Sequence, residues 1–154
     1  MAFEKKIPVI LNPAPACALP DDLLRNISIL TPNRKEAEML TGKLINDISS
    51  AKLAAKKINE RGVKTVIITL GSEGALVFDR NVFAEIPAIT VDVIDTTAAG
   101  DTFNGSLAVA LSEGEDIISA TQFACKASAI SVTRIGAQAS IPFKWEVDAF
   151  EVTK

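Results

Sequence analysis

Thr65-Val66-Ile67-Ile68-Thr69-Leu70 is an unbroken apolar and β-branched run, and it follows directly on a lysine-bearing amphipathic segment. Because no polar alternation interrupts it, both faces of this strand need cover, as for a strand inside a parallel sheet. Between Ile48 and Arg61, Ala51, Ala54, Ala55 and Ile58 recur three or four residues apart, with Lys52, Lys56, Lys57 and Glu60 elsewhere. That spacing predicts an amphipathic helix stopped at Gly62. A helix that delivers the chain into a doubly covered strand implies a crossover connection and a layered α/β sheet.

The flanking segments fit the same frame. Ile7 to Asn12 is a short strand-like run closed by Asn12-Pro13-Ala14-Pro15, and Ile27 to Thr31 is a second, closed by Pro32. Asn33 stands where it would cap the helix implied by Glu36, Ala37, Met39 and Leu40, with Gly42 as its stop. After Gly71-Ser72-Glu73-Gly74, the runs Ala75 to Phe78 and Val82 to Ile86 flank Asp79-Arg80-Asn81 and read as a hairpin. Ile117 to Val132 carries apolar residues on more than one face and reads as a largely buried helix ending near Gly136. The expected fold is a three-layer α/β/α Rossmann-like sheet, mostly parallel. With 154 residues, 48% of them hydrophobic, residues 1–154 are expected to form one domain. Ligands of such sheets gather at the carboxyl ends of the strands. Asn12, Asn33, the Gly71 to Gly74 turn and Asp101 are therefore expected on one rim.

Several chemistries are excluded by residue content. The chain has no histidine, and Cys17 and Cys125 have no metal-ligand spacing, which removes a zinc site and a Ser–His–Asp triad. A formal charge of −3, without a basic cluster interleaved with aromatics, gives no footprint for nucleic acid. No apolar run approaches the roughly 20 residues of a membrane span, and residues 1–6 do not resemble a secretory signal. A cytoplasmic protein acting on small molecules, with no membrane partner, is the expectation. No Gly-x-Gly-x-x-Gly follows an early strand, so a dinucleotide-dependent Rossmann enzyme is disfavoured.

The chemistry concentrates in Asp95-Thr96-Thr97-Ala98-Ala99-Gly100-Asp101-Thr102-Phe103-Asn104-Gly105. Ala98, Ala99 and Gly100 leave backbone N–H groups unshielded, and Phe103, Leu107, Ala110 and Leu111 supply one face of a following helix. Free amides at the positive end of a helix favour an anion, and a transferring phosphoryl group is one. Asp101, in the first turn, could take a hydroxyl proton as the alcohol attacks phosphorus. It could equally serve as a cap.

Five segments together resemble the C-terminal half of the ribokinase-like, PfkB-type carbohydrate kinases. They are Leu11-Asn12-Pro13-Ala14-Pro15-Ala16, Thr31-Pro32-Asn33-Arg34-Lys35-Glu36, Thr69-Leu70-Gly71-Ser72-Glu73-Gly74, Asp95 to Gly105, and Val132-Thr133-Arg134-Ile135-Gly136-Ala137-Gln138. The Asn-Pro-Ala-Pro segment is more similar to ribokinases than to fructokinase-like or adenosine-kinase-like members. The resemblance implies ATP-dependent phosphorylation of ribose or a related sugar. Asp101 would be the base, and the amides of Ala98, Ala99 and Gly100 the anion hole, where one lost donor costs about 3 to 4 kcal/mol. Ala98 stands where the family usually writes glycine.

The resemblance also implies that Asn33 and Glu36 organise Mg²⁺ and phosphate through ordered water, although both also fit a helix capping box. Thr69, Gly71, Ser72 and Gly74 match a nucleotide-contacting turn, and equally a plain strand-to-hairpin turn. Oxygens of Asp95, Thr97, Ser131, Arg134, Gly136 and Ser140 match a monovalent-cation site, expected to hold K⁺ and to fix the loop. A simple turn role for Asp95 stands beside that reading. Cys125 falls in the adenine pocket, where packing alone would also explain it.

The family's Gly-Gly-Lys-Gly-x-Asn sugar segment, an early sugar-binding Asp and lid strands have no counterpart here, and residues 1–6 could not supply them. The expectation is a chain truncated at its N-terminal side, weak or inactive as a kinase alone. It would self-associate or pair with the missing half. An inactive remnant that binds nucleotide or serves only in assembly is the other reading.

Overall fold

Proline brackets the first two strands and keeps them short. β1 (Ile10–Leu11) lies between Pro8 and Pro13, and β2 (Ile29–Leu30) ends before Pro32; proline has no N–H to extend a ladder. The Ser28 hydroxyl also takes the Val9 N–H at 3.1 Å, which stops β1 from growing backwards along β2. These strands are therefore shorter than the apolar runs around them. The computed structural model describes residue 2 and residues 4–150, and the chain divides into two compact units, Met1–Glu85 and Ile86–Lys154.

In the first unit, α1 (Asp21–Leu24) joins β1 to β2, and α2 (Arg34–Thr41) and α3 (Ile48–Glu60) lead to β3 (Thr65–Thr69). β3 is followed by a 3-10 turn at Gly71–Glu73, then by β4 (Ala75–Asp79) and β5 (Val82–Ile86). The five strands lie in the order β1-β2-β3-β4-β5. β1 pairs with β2 and β2 with β3 in parallel, with Ile10 opposite Ile29 and Leu30 opposite Val66. β3 pairs antiparallel with β4, from Thr65 opposite Asp79 to Thr69 opposite Ala75. The tight turn between them is too short for a crossover, so direction must reverse and the sheet is mixed.

The predicted caps are present. The Asn33 side chain accepts the Glu36 N–H and the Glu36 carboxylate accepts the Asn33 N–H, while Gly42 closes α2 at φ 68°. α3 packs its alanine stripe and Ile58 against β3 and β4, in a core that includes Leu30, Val66, Ile68, Leu76 and Phe78. Burying each such large side chain contributes about 1.5 to 3 kcal/mol. Arg61 ties this unit together, donating to the Leu19 and Leu40 carbonyls and pairing with Asp21 at 2.8 Å.

In the second unit, α4 (Ala99–Ser112) packs along α5 (Ile117–Ser131), and α6 (Lys144–Ala149) packs on α5. Ala120, Ala124 and Ala127 of α5 are fully buried small residues, which lets neighbouring helices approach closely, and Phe103 and Leu107 of α4 are buried too. Val147 of α6 joins Ala127 and Ile130 in a smaller cluster against Phe123. α5 ends at Ser131, and residues 132–136 form a separate turn that reaches Gly136 at φ 98°. Among the described residues no helix is long and apolar enough to cross a membrane.

Candidate functional site

α4 starts without a cap. Its N-cap residue, Ala98, sits in the left-handed region at φ 60° and ψ 12°, and no side chain accepts from the first-turn amides. Such a conformation costs a non-glycine residue of order 1 kcal/mol or more. The Ala99 N–H turns back to the Thr96 carbonyl at 3.2 Å, so one of the three amides expected in an anion hole is engaged. Asp101 is exposed in the first turn, and its carboxylate has no hydrogen bond or ion pair among the described residues. The capping role open to it on sequence is not taken up. Next to it Thr102 is 3% exposed, and its hydroxyl has no partner among the described residues.

The turn before α4 is braced by Asp95. One carboxylate oxygen accepts the Thr97 N–H and the other the Gly136 N–H, each at 2.9 Å. Hydrogen bonding from the Thr97 hydroxyl, then from the Gly136 amide, holds the Asp95 carboxyl below the usual carboxylate range. Ile94 and Asp95 both donate to the Val132 carbonyl, and the Ser128 hydroxyl donates to the Ala99 carbonyl at 3.0 Å. The fold thus joins 94–99 to 128–136, bringing together Asp95, Thr97 and Gly136 of the expected cation set.

Arg134 follows by its N–H to the Ser131 carbonyl at 3.1 Å. Ser131 and Ser140 are fully buried and donate to Ser128 and Ala137 carbonyls, which leaves their oxygen lone pairs as acceptors. Among the described residues there is no group of three or more His, Cys, Asp or Glu able to hold a metal. One carboxylate with hydroxyl and carbonyl oxygens is a set of hard oxygen donors, of the kind that suits a hard cation rather than a soft one.

A cleft of about 530 Å³ lies between residues 86–89, α5 and α6. Ile86, Pro87, Ile89, Phe123 and Val147 give it apolar walls, and Gln122, Lys126 and Asp148 add polar groups. Cys125 lines it, and burial pushes the thiol up to about 11, so Cys125 stays protonated and packs as a small apolar group. The volume is that of a small-molecule site.

The remaining expected site residues lie in the first unit. Asn33 bridges to Thr69 in a parallel pairing, and the Thr69 N–H donates to the Pro32 carbonyl at 3.0 Å. The sheet thereby places the Asn33 to Glu36 helix start beside the turn at 69–74. Arg34 pairs with Glu73 across the two segments. Gly74 adopts φ 90° and ψ −132°, a conformation that L side chains rarely reach. Ser72 and Gly71 are exposed at the turn. Glu36 is 5% exposed and committed to its capping box, so the fit to Mg²⁺ is through water and phosphate rather than by a carboxylate cage.

Sequence reading did not find Thr102, Ser128, Glu146 or the cleft walls at 86–89 and 147–148. Ser128, in an otherwise alanine-rich helix, was the one local signal. The others emerge only when α5, α6 and the 132–136 turn are folded together.

Residues 1–144 match the family model described as pfkB family carbohydrate kinase. The ribokinase of Haemophilus influenzae is 47% identical over 150 residues, 97% of this chain and 49% of that protein. The crystal structure of ribokinase from Thermotoga maritima superposes with a TM-score of 0.87 at 44% identity, covering 96% of this chain and 50% of that one. Arabidopsis thaliana ribokinase, complexed with ribose and ATP, gives 0.91 at 34% identity, covering 97% and 50%. The chain spans about half the length of the curated relatives it matches. Its ribokinase-like α/β fold and the match along nearly its whole length place it among the pfkB family carbohydrate kinases.

Proposed function

We propose that this chain carries the nucleotide-binding and catalytic half of an ATP-dependent kinase that phosphorylates an alcohol group of ribose or a related sugar in the cytosol. The observation that carries the reading is the start of α4: an uncapped helix N-terminus with an exposed, uncommitted Asp101 in its first turn. Asp101 accepts the proton of the attacking hydroxyl, and the amides of Ala98 and Gly100, with that of Ala99 once it leaves the Thr96 carbonyl, stabilise the charge on the transferring phosphoryl group. Bound ATP with Mg²⁺ supplies the electrophilic phosphorus and neutralises its oxygens.

Asn33 and Glu36 hold water around the divalent ion, and Thr69, Gly71, Ser72 and Gly74 present backbone to the nucleotide. The cleft beside Cys125 takes the base. Oxygens of Asp95, Thr97, Ser131, Arg134, Gly136 and Ser140 would hold K⁺, whose charge would help to fix the turn before α4. Ile135, Ile141, Phe143 and Trp145 are exposed apolar side chains that favour association with a second chain.

The half-length match favours a second reading, in which the chain binds nucleotide without transferring phosphate. Supplying the N-terminal half of a ribokinase in trans separates the two. Ribose-dependent release of ADP with Mg²⁺ and K⁺ present, falling about 10²- to 10⁴-fold in Asp101→Asn, is the expected result. An assembled complex with no ribose-dependent turnover, or an Asp101→Asn variant as active as wild type, would contradict the kinase reading.

A further inference from the structure

Glu146 lies beyond residue 144, where the family match ends, and its carboxylate is doubly committed. One oxygen accepts the Phe143 N–H at 2.7 Å, closing the first turn of α6, and the other takes Arg134 Nη2 at 2.6 Å. The pair is only partly exposed, with 35% of the Arg134 side chain and 19% of the Glu146 side chain accessible. Arg134 sits in the 132–136 turn, two residues before Gly136. The Gly136 N–H holds one oxygen of Asp95, whose other oxygen holds the Thr97 N–H, and Ala98 then begins α4. An unbroken series of bonds therefore runs from α6 to the turn that presents Asp101. α6 also lines the cleft, through Val147 and Asp148.

We propose that the Arg134 and Glu146 side chains are positioning residues, which lock α6 to the 132–136 turn and so transmit occupancy of the cleft to the Asp95–Asp101 turn. The transmission rests on the reading of the cleft as the base site; the locking does not. A guanidinium fork on a carboxylate fixed by a helix start has one geometry, so the turn inherits its orientation from α6. Arg134 thereby serves through its side chain, apart from any oxygen it offers a cation. Glu146 touches no reacting atom.

The test is amide hydrogen exchange resolved by NMR on the whole chain, for wild type, Glu146→Gln and Arg134→Lys. Glu146→Gln keeps an acceptor for Phe143 and loses the charge, and Arg134→Lys keeps the charge and loses the fork. In nucleotide-free protein, exchange at Thr97 and Gly136 should quicken about tenfold or more in both variants, while Leu107 and Ala124 in the helices change less than about twofold. The double variant should be no faster than either single one, because the pair acts as a unit.

A uniform change at all amides, or none at Thr97 and Gly136, would overturn the locking. With ADP added, Thr97 should gain protection in wild type and lose most of that gain in the variants; equal gains in all three would overturn the transmission. Failure of ADP to bind wild type would overturn the base-site reading and the transmission with it, while the nucleotide-free exchange still decides the locking.

Discussion

Replacing Thr102 by valine should stabilise the protein. Thr102 is 3% exposed, in the first turn of α4, and its hydroxyl has no partner among the described residues. Leaving a buried hydroxyl unpaired costs about 1 to 3 kcal/mol relative to its hydrated state. Valine has nearly the same shape, and its helix propensity differs from that of threonine by no more than a few tenths of a kcal/mol. Removing the hydroxyl should therefore gain about 1 to 2 kcal/mol, the lower end allowing for slight overpacking by the new methyl.

Urea denaturation followed by tryptophan fluorescence suits the test, because Trp145, the chain's single tryptophan, lies in α6 of the same unit. With a urea m-value of about 2 kcal/mol/M, the midpoint should rise by roughly 0.5 to 1 M. Thr102→Ser keeps the hydroxyl and deletes the methyl, so it should lose about 1 kcal/mol. A Thr102→Val variant destabilised by more than about 1 kcal/mol would show that the hydroxyl is paired in solution and would refute the reasoning.

Two further predictions concern ionisation and thiol reactivity. The carboxyls of Asp95, braced by Thr97 and Gly136, and of Glu146, held by Arg134 and the Phe143 amide, both lie below the usual carboxylate range. A depressed folded value means that their contribution is fully present above the unfolded range, about pH 4 to 4.5, and is lost as pH falls through the folded values. The Trp145 urea midpoint should thus fall as pH drops from about 5 to 3, less steeply in Asp95→Asn; a midpoint flat or rising over that window would contradict it. Cys17 is exposed whereas Cys125 is held protonated by burial, so a disulfide reagent at pH 7.5 should label Cys17 first. ADP should slow the labelling of Cys125 and leave Cys17 unchanged; equal initial rates would place Cys125 outside the cleft.

Local patterns were legible where short-range rules decide the outcome. The α3 periodicity, the unbroken β3 run, the Asn33 and Gly42 caps and the β4–β5 hairpin each depend on residues within one turn or one strand, and each is present in the structure. Strand lengths were less legible, because Pro8, Pro13 and the Ser28 hydroxyl trim β1 through contacts that an apolar run does not display. The two carboxyl motifs were ambiguous in sequence, and the structure separates them. Asn33 and Glu36 form the capping box, whereas Asp101 leaves its helix uncapped. Glu146 was not legible, since its partner lies twelve residues away across a turn whose path is set by α5.

Calorimetric titration of the chain with ADP, in the presence of Mg²⁺ and K⁺, tests the central claim most directly. Saturable binding is predicted, weakened by Gly74→Val, because valine cannot adopt φ 90° at that turn, and by Asp95→Ala, which frees the Thr97 and Gly136 amides. No heat of binding from wild-type protein shown to be folded would contradict the claim that this chain is the nucleotide-binding half of a sugar kinase.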